Sequence, residues 1–353
     1  MAPDRFAPET LALPIVQAPL SGGPSTPALA AAVSAAGGLG FLATGYKAAD
    51  AVAADVAAVR AAGDAPFGIN VFVPGDAPAD AGAVARYAAT LADEAARQGA
   101  LLGEPRADDD GWDAKLALLR EARPAVASFT FGCPQRALVG ELRAAGIAVW
   151  VTVTTPAEAR AAADAGADAL VVQGAEAGGH RASFDDGAPG AIGLLALLAL
   201  VRAEVGLPLI GTGGVMSGEG IAAVLAAGAS AAQLGSALML TPEAGTSAPH
   251  RAALAGVRET ALTRAFSGRT ARGIVNRFLR EHDADAPAAY PQVHHLTAPL
   301  RAAAREHGDG EAINLWAGQA HALARELPAA ELVAQLAADA RAALRAAAER
   351  AGA

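Results

Sequence analysis

The chain has 353 residues, 53% of them apolar, and a formal net charge of −9. Such a composition excludes disorder as the main state, and the acidic balance argues against nucleic acid or an anionic membrane as the principal partner. A single cysteine, Cys133, rules out an intrachain disulfide and suits a reducing compartment.

The first residues carry Asp4, Arg5 and Glu9 and lack a continuous apolar core, so no secretory signal is read there and a cytoplasmic protein is expected. Strand-like apolar runs then recur, each followed by a helical stretch. They are Pro14–Ala18, Gly38–Thr44, Phe67–Val73, Ala125–Phe131, Ala148–Thr154, Ala169–Gln173, Leu207–Gly211 and Ala231–Leu234. Their runs do not alternate polar and apolar residues, as expected of parallel strands covered on both faces. Eight such β–α alternations predict an α/β fold, a TIM (β/α)8 barrel over residues 1–241. The apolar run Ala191–Val201 is shorter than the roughly 20 residues a bilayer requires and reads as a buried helix.

Two segments exceed the plain repeat. Residues 75–124 are too long for one crossover and contain Ala79–Gln98, an expected extra helix, followed by the polar stretch Asp108–Asp110. Residues 242–353 are expected to form a mostly helical C-terminal subdomain, with a proline-containing loop near Pro287–Pro299. It ends in an amphipathic helix, Ala329–Arg350, packing on the barrel through Leu332, Leu336 and Leu344.

Chemistry in such a barrel sits where strands hand over to loops at their C-terminal ends. Gln173-Gly174-Ala175-Glu176-Ala177-Gly178-Gly179-His180-Arg181 follows the sixth strand. Paired glycines let a backbone pass close to a ligand, and histidine titrates nearest neutrality, so His180 is the candidate catalytic base. Glu176 is either its assistant or a solvated loop acid. Gly211-Thr212-Gly213-Gly214 and Gln233-Leu234-Gly235-Ser236 end the seventh and eighth strands, where backbone N–H groups and a helix N-terminus usually hold a phosphate. The plainer alternative is that these glycines only make tight turns.

Asn70 and Gln173 are amides in otherwise apolar strands and must be hydrogen-bonded. Together they could pair with the donor–acceptor edge of a planar heterocycle, or each could satisfy neighbouring backbone. Phe129 and Phe131 are expected to wall an apolar pocket, and Cys133 is expected to be structural, having no activating partner. Neither Rossmann nor Walker glycines occur, and no metal-ligand spacing is present. Lys47 and Lys115 are the only lysines and lie off the most apolar strands, which disfavours Schiff-base chemistry.

Taken together, these segments resemble the nitronate monooxygenase family, formerly 2-nitropropane dioxygenases. The matching elements include Gln17-Ala18-Pro19-Leu20, Ala36-Gly37-Gly38-Leu39-Gly40, Asn70-Val71-Phe72, Phe129–Gly132, Gln173–Arg181, Gly211–Gly214, Gln233–Ser236, Ser267-Gly268-Arg269 and Trp316–Gln319. The resemblance implies an FMN-containing barrel that oxidises alkyl nitronates, such as propionate 3-nitronate, with O₂ to a carbonyl compound and nitrite. It implies that Asn70, Gln173, Gly178, Gly213, Gly214, Gln233, Gly235 and Ser236 bind FMN. His180 would be the base and orient the nitronate, and Phe129, Phe131 and Tyr290 would line the substrate pocket. After Tyr290 the bacterial pattern continues with a second tyrosine and a lysine; this chain has His294 and Thr297-Ala298, and its nearest cation is Arg301.

The competing readings are an NAD(P)H-dependent flavin reductase of the same barrel, acting on enoyl thioesters or quinones, and a non-enzymatic phosphate-ligand-binding barrel. Flavin bleaching by NAD(P)H without oxygen separates the first, and a colourless protein the second.

Overall fold

A computed structural model of the chain describes residues 5–75 and 79–352; Asp4, read above in the N-terminal segment, lies outside them. Its strands are β1 (Ile15–Gln17), β2 (Gly40–Ala43), β3 (Phe67–Phe72), β4 (Val126–Thr130), β5 (Ala148–Val153), β6 (Ala169–Gln173), β7 (Gly179–His180), β8 (Leu209–Thr212), β9 (Ala231–Leu234), β10 (Thr260–Thr263) and β11 (Ala271–Ile274). Eight of them form one parallel sheet in the order β1-β9-β8-β6-β5-β4-β3-β2. A parallel bridge between Val16 and Leu39 draws its two edges together, giving a nearly closed TIM barrel. Every strand expected from the apolar runs is present, each within two residues of its expected ends.

The barrel interior is filled at its lower end by Val16, Phe41, Val126, Trp150, Val171 and Ile210. Trp150 is the largest of these, wedged between Phe41 and Phe6 at ring-centre distances of 5.9 and 6.2 Å. Alternation along β3 and β4 then decides which residues reach the upper end. Asn70, Ser128 and Thr130 point inward, whereas Ile69, Val71, Ala127 and Phe129 point to the surrounding helices. Phe129 packs edge-on against Trp112 at 6.0 Å and is fully buried. It therefore belongs to the outer core and not to the substrate pocket. Its neighbours of opposite parity face the ligand space, because successive strand residues point to opposite faces.

The long segment after β3 holds three helices: Ala81–Thr90 and Ala92–Gln98, where one extra helix was expected over Ala79–Gln98, and then Trp112–Ala122. The Asp80 carboxylate caps the first by accepting from the N–H groups of Gly82 and Ala83. The break at Leu91 follows Thr90, whose hydroxyl donates to the Tyr87 carbonyl. The first two helices share a core with the C-terminal segment, through Tyr87, Leu91, Phe266, Phe278, Val293 and Leu300. Insertion and tail thus make one layer over the C-terminal ends of the barrel strands.

The tail is less purely helical than expected. β10 and β11 form an antiparallel ladder, and β11 pairs with β7, setting Ala271 opposite His180. The expected loop at Pro287–Pro299 is in part the helix Gln292–Glu306, with Pro299 inside it. Proline cannot donate to the carbonyl four residues back; here the neighbouring Leu296 carbonyl accepts from Gly103 N–H at 2.9 Å.

The last helix, Ala329–Arg350, has the expected bounds and lies on the barrel helices Gly218–Ala226 and Pro27–Ala35. Glu243 caps its first N–H at 3.0 and 3.1 Å. Its buried face is Ala329, Leu332, Val333, Leu336, Ala337 and Ala340, and the small side chains allow close contact. Leu344 is 36% exposed. Leu336→Ala should therefore cost about 2–5 kcal/mol of stability in denaturant titration, and Leu344→Ala no more than about 0.5 kcal/mol. Equal losses would show that the helix does not pack on the barrel in this way.

Candidate active site

The strand ends and the tail enclose a cavity of about 430 Å³, within the usual size of a small-molecule site. Asn70, Thr130, Gln173, Thr212 and Gln233 reach it from the strands; Gly178, His180, Gly213, Gly214, Gly235 and Ser236 from the loops; Ser267, His294, Arg301, Asn314 and Trp316 from the tail. All the glycines and amides expected to hold a cofactor line this one space. Phe131 also lines it; Tyr290, expected beside it, lines the neighbouring outer cavity instead, with its ring 5.8 Å from that of His180.

The amides divide their work. Asn70 Nδ2 donates to Ser128 Oγ and Thr130 Oγ1, both at 2.9 Å, so only its carbonyl oxygen remains for a ligand. Gln173 is occupied at both ends: Nε2 donates to the His180 carbonyl at 3.2 Å, and Oε1 accepts from Ala182 N–H at 3.0 Å. Its carboxamide splints the histidine loop and keeps one Nε2 hydrogen and one Oε1 lone pair unused by these two bonds. Gln233 is 6% exposed and lines the cavity without a side-chain hydrogen bond among the described residues. Ser236 Oγ accepts from Gly318 N–H at 2.9 Å, which frees its hydrogen to donate into the cavity.

The glycines have structural causes as well as room for a ligand. Gly178 passes the tail so closely that a β-carbon would lie 2.4 Å from the Ala317 carbonyl carbon and Gly318 nitrogen. Gly214 has φ +69°, and a β-carbon there would meet Glu176 Cβ at 2.9 Å. Beyond this turn, Ser217 caps the helix Gly218–Ala226, accepting from Gly220 N–H at 3.3 Å. A helix N-terminus beside glycine backbone and the Ser236 hydroxyl makes a cradle suited to a phosphate group.

Glu176 does neither thing expected of it. Its carboxylate accepts from Leu194 N–H at 3.1 Å, capping the helix Leu194–Glu204. Cys133 does not line the cavity, and burial pushes its thiol up to about 11, away from the nucleophilic thiolate.

His180 sits among Phe131, Tyr290 and Trp316, with ring-centre distances of 5.7, 5.8 and 5.6 Å. Its Nε2 is 2.8 Å from Ser267 Oγ, and that hydroxyl is also 3.2 Å from the Arg269 carbonyl. One O–H serves either acceptor, so its rotation sets the imidazole tautomer. Burial first, then the cations Arg269 and Arg301, push the imidazole down to about 3. His180 is therefore neutral throughout the ordinary pH range, and not poised near neutrality.

Two further groups escaped the sequence reading. Tyr46 follows β2 and stacks on His294, 4.0 Å between centres at an interplanar angle of 8°. The pairing of Arg301 with Arg305 is the other. Arg301 is 7% exposed and donates to Thr297 Oγ1 at 3.1 Å, the His294 carbonyl at 2.9 Å and Asn314 Oδ1 at 3.4 Å. Arg305 donates to the same Asn314 oxygen at 2.9 Å. Among the described residues, no carboxylate pairs with either guanidinium. Burial lowers both arginines, yet Arg301, at about 10, stays charged at neutral pH. A buried cation without a counter-ion favours an anion beside it. The strand-end logic applied to Gln173 would have marked Tyr46, but nothing local marks Asn314 or Arg305.

Three cavity histidines, His180, His250 and His294, are held at about 3, 4 and 2, chiefly by burial. Their folded values lie below the ordinary 6.5, so the unfolded chain binds protons first as pH falls. Their contribution to stability is complete above pH 6.5 and is lost below it, by up to about 1.4 kcal/mol per pH unit for each histidine. Denaturant midpoints measured at pH 7.5, 6 and 5 should therefore fall steadily. A flat profile would mean that the cavity is wet enough to protonate them in the folded state.

The sequence profile described as Nitronate monooxygenase matches residues 8–339. A nitronate monooxygenase of Pseudomonas aeruginosa is 46% identical over 91% of this chain and 94% of its own. One from Paraburkholderia phytofirmans is 44% identical over 92% and 91%. The crystal structure of nitroalkane oxidase from Streptomyces ansochromogenes superposes with a TM-score of 0.93 at 54% identity, covering 96% of this chain and 99% of that one. A fold, a cavity and a sequence that agree to this extent leave one assignment: the chain is an oxidoreductase and belongs to the nitronate monooxygenase family.

Proposed function

We propose that the protein oxidises small alkyl nitronates with dioxygen, using FMN held in the central cavity, and releases a carbonyl compound and nitrite. Two nitronates and one dioxygen balance two carbonyls and two nitrites. One observation carries this reading: a neutral imidazole, His180, faces the same apolar-walled space as Arg301, a buried cation that no described carboxylate neutralises. That pairing suits a small planar anion.

The residues fit FMN. The cradle at Gly213, Gly214, Gly235 and Ser236 offers one phosphate site, and no second nucleotide motif is present. The unpartnered faces of Asn70 and Gln233 offer polar contacts to a planar ring. A bound flavin supplies the electron acceptance and the onward reduction of dioxygen.

The rest belongs to the chain. Arg301 draws the nitronate anion in, its planar guanidinium matching the two nitro-group oxygens. His180, fixed by Ser267 and by the Gln173 splint, donates one hydrogen bond and orients the substrate. With its imidazole near 3 it is a weak base, and proton abstraction works best near the operating pH. Orientation of an already ionised nitronate is therefore its main work. Phe131, Trp316 and Tyr290 keep water from the reacting carbon.

Three outcomes are expected. The purified protein is yellow, and denaturation releases FMN; release of FAD, or of no flavin, would overturn the cofactor. His180→Asn keeps the flavin and loses activity on nitronate and on neutral nitroalkane to a similar degree. A loss confined to the neutral substrate would restore the role of general base, typically worth about 10²–10⁴-fold. Arg301→Met raises KM for nitronate by roughly tenfold, the effect of about 1.4 kcal/mol, with flavin content unchanged. Loss of flavin in that variant would assign Arg301 to the cofactor instead.

A further inference from the structure

Beside the central cavity lies a second, outer cavity of about 850 Å³, rimmed by Lys47, Arg106, Asp108 and Asp186. Four side chains line both spaces: Tyr46, Phe72, Phe131 and His294. They form the wall between them, and Tyr46 is its keystone. Its ring stacks on His294 and meets Phe72 edge-on at 5.8 Å, and its hydroxyl is 3.4 Å from the Tyr290 hydroxyl. Tyr46 is also 36% exposed, so this part of the wall borders solvent.

The backbone of Tyr46 has φ +68°, a left-handed conformation that a residue with a β-carbon seldom adopts and that Phe131 shares in the same wall at φ +75°. The Tyr46 N–H donates to Asp110 Oδ1 at 2.9 Å. Asp110, itself at φ +57°, places Oδ2 2.6 Å from Lys115 Nζ, and Lys115 is 1% exposed. A lysine is seldom so deeply buried without a purpose for its charge, and neither Asp110 nor Lys115 lines the central cavity.

We propose that Tyr46 is the leaf of a gate between the outer cavity and the catalytic space, and that Lys115 and Asp110 are positioning residues that hold it closed. The gate sets which nitronates pass by their bulk. It acts through access; because Tyr46 rests on His294, whose carbonyl accepts from Arg301, a small nitronate serves as the control for the anion contact. The kinetic reading rests on the proposed nitronate oxidation; the accessibility reading below does not.

The test uses the whole protein. In a Trp112→Phe background, iodide quenching of tryptophan fluorescence reports Trp316 in the cavity, because Trp150 is fully buried in the barrel. Tyr46→Ala should increase that quenching. It should also raise kcat/KM for a bulky nitronate, such as a phenyl-substituted one, by about tenfold through KM, with ethyl nitronate changed less than about twofold. The double variant Lys115→Met/Asp110→Ala should reproduce both effects without touching substrate. Lys115→Met/Asp110→Asn keeps an acceptor for the Tyr46 N–H and should restore the closed state.

Unchanged quenching and unchanged size preference in Tyr46→Ala would overturn the gate. A wild-type result in the double alanine variant, beside an open Tyr46→Ala, would overturn the anchor. If the double variant does not fold, Asp110→Ala alone replaces it, with the same expected opening and the same overturning result. Failure to oxidise any nitronate, with quenching still increased, would sink the functional reading and leave the gate standing.

Discussion

The site depends on one joint: the short strand β7 taken from the barrel loop and paired with β11 of the tail. His180 lies on that strand, opposite Ala271. A loop of this length between a strand and a helix would otherwise be free to move. Here its carbonyls are claimed from several sides. Arg181 donates to the carbonyls of Gly174 and Gly190 at 2.6 and 2.8 Å, and Arg272 to that of Ala175 at 3.1 Å. Gln319 N–H reaches the Glu176 carbonyl at 3.1 Å. Gly178 lets the tail come close enough for this to happen. The imidazole is thus placed by backbone bonds on both sides, and its environment follows from that placement.

That environment explains the chemistry better than the residue types alone. Phe131, Trp316 and Tyr290 remove water from around His180, and Arg269 and Arg301 add positive charge. Both effects disfavour a charged imidazole, so they act in one direction. The same guanidinium that weakens His180 as a base favours an anion in front of it. An acidic protein can therefore hold a local cationic cavity, and its net charge says little about what it binds.

The barrel was legible because parallel strands covered on both faces are apolar throughout, and runs such as Ala148–Val153 and Ala169–Gln173 declare themselves. The last helix was legible from the spacing of its leucines. Other features were hidden for physical reasons. Phe129 and Phe131 share one motif, but strand parity sends the first into the outer core, and a local backbone turn at φ +75° carries the second into the cavity. Glu176 stands three residues before Gly179 and looks like a partner for His180; its true partner, Leu194 N–H, lies beyond a turn that no periodicity predicts. β10 is a short strand of mixed burial and β11 a short buried one; they are strands by pairing with each other, and β11 alone carries the ladder on to β7. The imidazole of His180 could not be placed on a pH scale from sequence, because desolvation is a property of the closed cavity.

Barrel and tail also divide the labour of recognition. The barrel's strands supply the inward amides and its loops the glycine cradle and the helix N-terminus, which are features of a shared scaffold. The tail supplies Arg301, Asn314, Trp316, Ser267 and His294, so the charge and shape on this side of the cavity come from outside the barrel. After Tyr290 this chain sets His294 and Ala298, and the cation enters instead two turns of helix beyond His294, at Arg301. A planar guanidinium wedged by Thr297 and Asn314 has less freedom than a flexible ammonium and a fixed pair of directions for its donors. Substrate selection can thus change on one tail helix while the cofactor cradle, built from strand ends held by the barrel, stays as it is.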